Sequence, residues 1–168
     1  MGIFHAQPYD LSATGFYFED QESFEKKIGS IRNDYGQPVE EFELQFIDGE
    51  AIDCALARAW GINQANILAF IDAAESWEED EKLRFIIAVG ECGYSFDPDS
   101  IDPNIFEVDI YEDMSLRELA EHFVEEGLYG PIPETIAYYL DYEAIANDLG
   151  VEYTETEIAG KRWTYACR

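Results

Sequence analysis

Residues 39–48 read VEEFELQFID. Val39, Glu41, Glu43, Gln45 and Ile47 alternate with Glu40, Phe42, Leu44 and Phe46. The second set is an apolar face, and a period of two is that of a strand with one side buried. Carboxylates take the outward side, where Glu41 and Glu43 stand roughly 6.6 Å apart along such a strand. Upstream, GIFHAQPYDLSATGFYF (2–18) predicts two short strands around a turn at Ala13-Thr14-Gly15. Between them and residue 39, DQESFEKKIGSI (20–31) sets Phe24, Ile28 and Ile31 at helical spacing, with Gly29 as a stop. Residues 1–50 therefore predict a small antiparallel sheet with one helix.

Downstream the period changes. AIDCALARAW (51–60) and NQANILAFIDAAES (63–76) repeat apolar residues at helical spacing, parted by Gly61. Ser76 and Glu79 match a capping box ahead of EEDEKLRFIIAV (78–89), whose first turn holds four acids. GYSFDPDSIDPN (93–104) has two Asp-Pro steps and predicts a loop. Residues 51–104 thus form a helical, acidic middle module. From 105 the pattern mixes again. IFEVDIY (105–111) predicts a strand. Ser115 and Glu118 form a second capping box, and Leu116, Leu119, Ala120, Phe123 and Val124 trace one helix face up to Gly127. GPIPETIAYYLDYEAIANDLG (130–150) predicts two short helices. VEYTETEIAGKRWTYACR (151–168) predicts a hairpin turning at Ala159-Gly160. The fold class is α+β, with modules 1–50, 51–104 and 105–168 in series.

Apolar residues make up 47 % of the chain and aromatics 15 %, enough to build a core. No apolar run approaches 18 residues, so no membrane partner is expected. The first residues lack the basic end and apolar stretch of a secretory signal. Cys54, Cys92 and Cys167 are odd in number and far apart, and predict reduced, buried thiols in a cytoplasmic protein.

Charge is the dominant feature. Thirty-seven acids face ten bases, for a net charge of −27. Residues 1–50 carry 11 acids and 3 bases, 51–116 carry 15 and 3, and 117–168 carry 11 and 4. No segment is a dedicated acidic tail. Every folded part bears its share, interleaved with Tyr, Phe and Ile, and such repulsion costs stability.

Chemistry-bearing motifs are missing. His5 and His122 are isolated, and there is no C-x-x-C or H-x-x-x-H, so no metal is expected. The loop with Asp97, Asp99 and Asp102 fails as a calcium loop, having Ile101, Asp102 and Val108 where an acid or Asn, a Gly and a Glu are needed. No phosphate loop or nucleophile elbow occurs, and Cys92 has no base nearby in sequence. Among so many acids a suitable carboxylate pair always exists and carries no information. No catalytic residue and no cofactor are predicted.

The acidic faces, by contrast, are regular. Glu118, Glu121 and Glu125 lie at steps of three and four on one helix face, about 5–6 Å apart at Cβ. Glu155 and Glu157 repeat the strand spacing of Glu41 and Glu43. These steps are close to the phosphate separation along a nucleic-acid strand. Duplex DNA holds one charge per ~1.7 Å of axis, so 27 net charges correspond to roughly 46 Å of duplex.

The chain resembles the ArdA-type antirestriction proteins of mobile elements. The likeness is strongest over residues 116–168, in EEGLYGPIPETIAYYLDYEAIANDL followed by YTETEIAGKRW. Weaker echoes occur at PYDLSATGFYF and VEEFELQFID. The resemblance implies an elongated, three-part α+β protein shaped like bent B-form DNA. It implies no enzyme, but an inhibitor that fills the DNA-binding groove of Type I restriction–modification complexes, at their methyltransferase core, and blocks restriction and often modification. It binds no nucleic acid itself. The carboxylates implied in that surface are Glu41, Glu43, Glu78, Glu79, Asp80, Asp97, Asp99, Asp102, Asp109, Glu112 and Asp113, continuing with Glu118, Glu121, Glu125, Glu126, Asp141, Glu143, Asp148, Glu152, Glu155 and Glu157.

Family members form homodimers through the C-terminal part, and the segment matching their antirestriction motif is LYGPIPETIAYYL (128–140). Its Leu128, Tyr129, Ile132, Pro133, Ile136, Tyr138, Tyr139 and Leu140 surround a single acid, Glu134. Such an apolar island suits a partner surface, or Ile132, Ile136 and Leu140 pack the local core. Two other functional classes compete: an acidic mimic or adaptor for a different basic partner, such as another defence nuclease or a nucleoid protein, and a metal-binding or salt-adapted structural protein.

Overall fold

A computed structural model describes residues 2–168. They fall into two compact units, the first ending at Ile105 and the second spanning Phe106–Arg168. The two expected modules before residue 105 lie within the first unit.

The first unit opens with β1 (Ile3–Pro8), β2 (Phe16–Phe18), α1 (Gln21–Ile28) and β3 (Phe42–Asp48). The strands form an antiparallel sheet in the order β2-β1-β3. Phe4 is paired with Phe18 on one side and Phe46 on the other, and Ala6 with Phe16 and Leu44. One sheet face thus becomes a run of aromatic rings. Phe4 and Phe18 stack at 5.1 Å between centroids, and Phe24 of α1 meets Phe18 at 4.8 Å. Each buried Phe is worth about 1.5–3 kcal/mol relative to exposure. The β1–β2 reversal is tight. A Cβ on Gly15 would sit 2.5 Å from the Ala6 carbonyl oxygen, so glycine lets the two strands meet. The alternation expected from residue 39 becomes a strand only at Phe42. Val39 instead donates its N–H to the Ile31 carbonyl at 3.2 Å, beside a bridge between Arg32 and Pro38.

Three helices follow: α2 (Ala51–Trp60), α3 (Ile67–Ser76) and α4 (Glu79–Phe85). Gly61 ends α2 at φ 66°, in the left-handed conformation that favours glycine. Trp60 is the hub. Its ring lies 5.7 Å from Phe70, 5.7 Å from Trp77, 4.9 Å from Phe85 and 5.0 Å from Phe96. Phe70 also meets Phe4 edge-on at 5.9 Å, tying α3 to the sheet.

Two local expectations are corrected. Ser76 is the last residue of α3, and its hydroxyl donates back to the Asp72 carbonyl at 2.7 Å. It lies two residues ahead of Glu78, the N-cap of α4, and so does not cap that helix. The capping box sits two residues later, with the Glu78 N–H donating to Glu81 Oε2 at 2.9 Å. The helix expected through residue 89 also changes character: from Ile86 to Glu91 it widens into a π turn, and the Cys92 N–H donates to the Ile87 carbonyl, five residues back.

Beneath the helices lies a buried ion pair. Lys82 Nζ is 2.7 Å from Asp53 Oδ1, with side chains 9 % and 8 % exposed. Two charges removed from water carry a desolvation cost that only good geometry offsets.

The second unit contains β4 (Val108–Glu112), α5 (Leu116–Glu125), α6 (Glu134–Ala137), α7 (Tyr142–Leu149), β5 (Thr154–Ile158) and β6 (Lys161–Cys167). Its antiparallel sheet runs β4-β6-β5, so the last strand is central. Leu119 and Phe123 of α5 pack with Tyr153 and Ala166, surrounded by Tyr111, Met114, Leu116 and Leu149. The expected cap is present: Glu118 N–H donates to Ser115 Oγ at 3.1 Å, and Ser115 N–H to Glu118 Oε2 at 2.8 Å. The hairpin turns where expected. Ala159 (φ 53°) and Gly160 (φ 78°) both take positive φ, and Ile158 pairs with Lys161 across a two-residue loop. Mixed helices and two small antiparallel sheets make the chain α+β.

Of the three cysteines expected as reduced, buried thiols, Cys54 is free and half-buried.

Asp53→Asn should lower the unfolding free energy by about 3–5 kcal/mol, because a buried ammonium loses its counter-charge. The double change Asp53→Leu with Lys82→Met should be near neutral or stabilising by urea titration, since it removes both charges together.

Candidate carboxylate surface and exposed apolar segment

In the first unit, Glu43 extends outward from β3 opposite buried Phe42 and Leu44. Glu41 stands just before the strand and is equally exposed; its carbonyl accepts the Tyr9 N–H at 3.1 Å, continuing the ladder. Glu78, Glu79 and Asp80 are exposed at the start of α4, where the helix dipole favours negative charge. Asp97 Oδ1 accepts from the Asp99 N–H and Oδ2 from the Ser100 hydroxyl, and Asp102 accepts from the Asn104 N–H. These are Asx turns. Among the described residues, no group of three or more His, Cys, Asp or Glu side chains is placed to hold a metal ion.

The second unit organises its acids around three arginines. Arg117 reaches Glu121 at 3.3 Å and also Glu143, linking α5 to α7. Arg162 reaches Glu118 at 3.1 Å and Asp113 at 3.4 Å. Arg168 Nε donates to Asp109 at 2.7 Å, its Nη1 lies 3.5 Å from Glu152, and its Nη2 donates to the Tyr153 hydroxyl at 3.0 Å. Each guanidinium therefore sits between two carboxylates, and each group keeps a net charge of −1. Exposed pairs add little stability, but a planar five-donor fork fixes the direction of both acids it touches. Asp109 raises the Arg168 pKa further above its already high ordinary value.

Two acids expected on the open surface have structural tasks. Glu155 Oε1 accepts the Leu116 N–H at 2.7 Å, at the first turn of α5. Asp141 Oδ1 accepts the Ala144 N–H at 3.0 Å and caps α7. Glu112, Glu125, Glu126, Asp148 and Glu157 are exposed. Of all the carboxylates predicted for the surface, only Asp109 and Glu121 are half-buried rather than exposed. Sequence reading missed the arginine groupings. The Arg117–Glu121 pair was visible as an i,i+4 step, but the other pairings span 16 to 59 residues.

The apolar segment is open to solvent. Helix α6 buries no residue. Tyr138 is 95 % and Tyr139 84 % exposed, and Leu128, Tyr129 and Ile136 are exposed as well. Pro133 is also exposed, while Ile132 and Leu140 are half-buried. Ile136 does not pack the local core.

Hydrogen bonds from the Ser115 N–H and hydroxyl hold the Glu118 carboxyl below its ordinary value of 4.5, and Arg162 adds to them. A depressed carboxyl pKa gives stability that is present above the unfolded value and lost as pH falls through the folded one. Glu118→Gln should therefore be less stable than the parent chain at neutral pH. The gap should close as pH drops below 4.5 toward the folded value of Glu118. Thermal unfolding of both proteins across pH 3–7 measures this, and a gap constant with pH would remove the charge from the account.

No helix of the described residues is long and apolar enough to cross a membrane. No curated protein matches the chain at significant similarity. The family model of antirestriction protein (ArdA) matches residues 3–160, through the whole first sheet, the helices of the first unit and all but the last strand of the second. With a match of that extent, the chain belongs to the ArdA antirestriction protein family.

Proposed function

We propose that this chain inhibits Type I restriction–modification enzymes by occupying their DNA-binding groove as a protein mimic of DNA. The observation that carries this reading is the exposure of carboxylates on both units, on strand, helix and loop alike. Phosphates dominate protein–DNA affinity, so a groove lined with Lys and Arg attracts any polyanion of matching spacing. A folded protein already holds its form and avoids the elastic cost of deforming duplex DNA. It displays no base edges, so enzymes of different sequence specificity are inhibited alike. Inhibition needs no chemistry from the inhibitor. The arginine groupings support this mechanism, because they hold acids in fixed directions while leaving net negative charge.

The exposed segment Leu128–Leu140 is the proposed homodimer surface. Tyr138 and Tyr139 contribute little to the core of the unit, so their apolar area is available to a second copy. Dimerisation doubles the length of acidic surface that a groove can meet.

Cells with a Type I system should plate unmodified phage more efficiently when they express the protein. No protection across several Type I families would refute the reading, and recovery of a different basic protein would move it to another nuclease or a nucleoid protein. Neutralising Glu125, Glu126 or Glu157 singly should change inhibition by less than about fivefold, since each exposed charge is worth ~0.2–1 kcal/mol. Neutralising all three should compound, and inhibition should weaken with added salt. Tyr138→Asp should yield a folded monomer by size exclusion with light scattering. A dimer that survives this change would place the interface elsewhere.

A further inference from the structure

Arg117 is a cation at the wrong end of its helix. Ser115 caps α5, so Arg117 is the second residue of the first turn, where the helix dipole favours an acid. Its guanidinium turns to two carboxylates. Nε donates to Glu121 Oε1 at 3.3 Å on the same helix, and Nη1 donates to Glu143 in the first turn of α7, which packs against α5. Arg162 and Arg168 have further anchors in the fold. Arg162 Nη2 donates to the Asp113 carbonyl at 3.3 Å, and Arg168 Nη2 to the Tyr153 hydroxyl at 3.0 Å. Among the described residues, the Arg117 side chain donates to Glu121 and Glu143 alone.

Stability does not explain this placement. Arg117, Glu121 and Glu143 keep 52 %, 43 % and 65 % of their side-chain surface in water, and ion pairs so exposed contribute little. The helix field takes back part of that contribution. What the guanidinium does supply is direction. Glu121 and Glu143 are like charges on adjacent helices, and without a cation between them they repel and turn apart into solvent. A planar fork that donates from both Nε and Nη1 holds the two at once.

We propose that Arg117 is a positioning residue of the inhibitory surface, which presents the Glu121 and Glu143 carboxylates together, as fixed false phosphates across the α5–α7 junction, to the basic groove of the partner. This role rests on the DNA-mimic reading and adds to it a residue of opposite sign. Phosphate contacts set the register of a protein on a duplex. Carboxylates standing in for phosphates therefore need fixed places as well as charge, and one that must be ordered on binding loses affinity to entropy. The consequence runs against net charge. Long-range attraction alone strengthens when a base is removed, because the chain becomes more negative. Attraction through positioned carboxylates weakens.

Displacement of a labelled DNA duplex from purified Type I methyltransferase cores measures this. Arg117→Gln should raise the concentration needed for half displacement about threefold to tenfold, the scale of two exposed charges together. Lys26→Gln makes the same charge change at an exposed position in the last turn of α1, and should leave that concentration level or lower it. In a Glu121→Gln/Glu143→Gln background, Arg117→Gln should change it by less than about twofold, because the residue acts only through those acids. The melting temperature of Arg117→Gln should stay within about 4 °C of the parent chain. Displacement by Arg117→Gln equal to or better than that of the parent overturns the role. An undiminished loss in the background lacking both acids does so too, as does an equal loss in Lys26→Gln. A larger drop in melting temperature assigns Arg117 to helix packing and overturns the role as well. If the parent displaces no DNA from any core, the DNA-mimic reading falls and the role with it, whereas every other adverse result leaves that reading standing.

Discussion

Repulsion among like charges is the constraint under which everything else in this chain is built. With −27 on 168 residues, electrostatics opposes compaction throughout the surface. The fold must be held by what charge cannot weaken. Aromatic rings supply this in both units: Phe4, Phe18, Phe24 and Phe70 around the first sheet, Trp60 with Phe85 and Phe96 among the helices, and Tyr111, Phe123 and Tyr153 in the second unit. Large rings bury much area per residue. A short chain can then give many of its exposed positions to carboxylates.

The few bases are placed with corresponding economy. Lys82 is inside, opposite Asp53. Arg117, Arg162 and Arg168 each serve two acids instead of one. Helix starts use the acids themselves: Asp20, Ser115 with Glu118, and Asp141 all accept backbone N–H groups. Carboxylates that look redundant in sequence thus satisfy donors at helix termini, where negative charge is favoured. The acidic composition and the fold are compatible because a share of the acids is structural.

Much of this was legible in sequence where the determining interaction is local. The alternation around Phe42 and Leu44, the Ala159-Gly160 turn and the Ser115–Glu118 box need only neighbours a few residues apart, and all three are found. The misses share a cause. Ser76 has the residue type of a cap, but α3 runs through it and α4 begins only after Glu78. The π turn at Ile86–Glu91 adds one residue to a helical ring without changing the apolar pattern. Asp53 and Lys82 are 29 residues apart, and nothing in either neighbourhood marks them as buried. Glu155 kept its strand position, but only the fold shows that it faces the Leu116 N–H. The site reading was soundest for which acids are exposed and weakest for what each one touches.

Two indole groups have a use as reporters. The Nε1 atoms of Trp60 and Trp163 are buried without a hydrogen-bond partner. An indole in dry, apolar surroundings emits at shorter wavelength than one in water, so exposure of either ring changes its colour. Trp60 belongs to the first unit and Trp163 to β6 of the second. With the half-buried Trp77 replaced by phenylalanine, each unit would carry a single tryptophan. The melting of either half could then be read by eliminating the other tryptophan, without attaching any dye to so densely charged a surface.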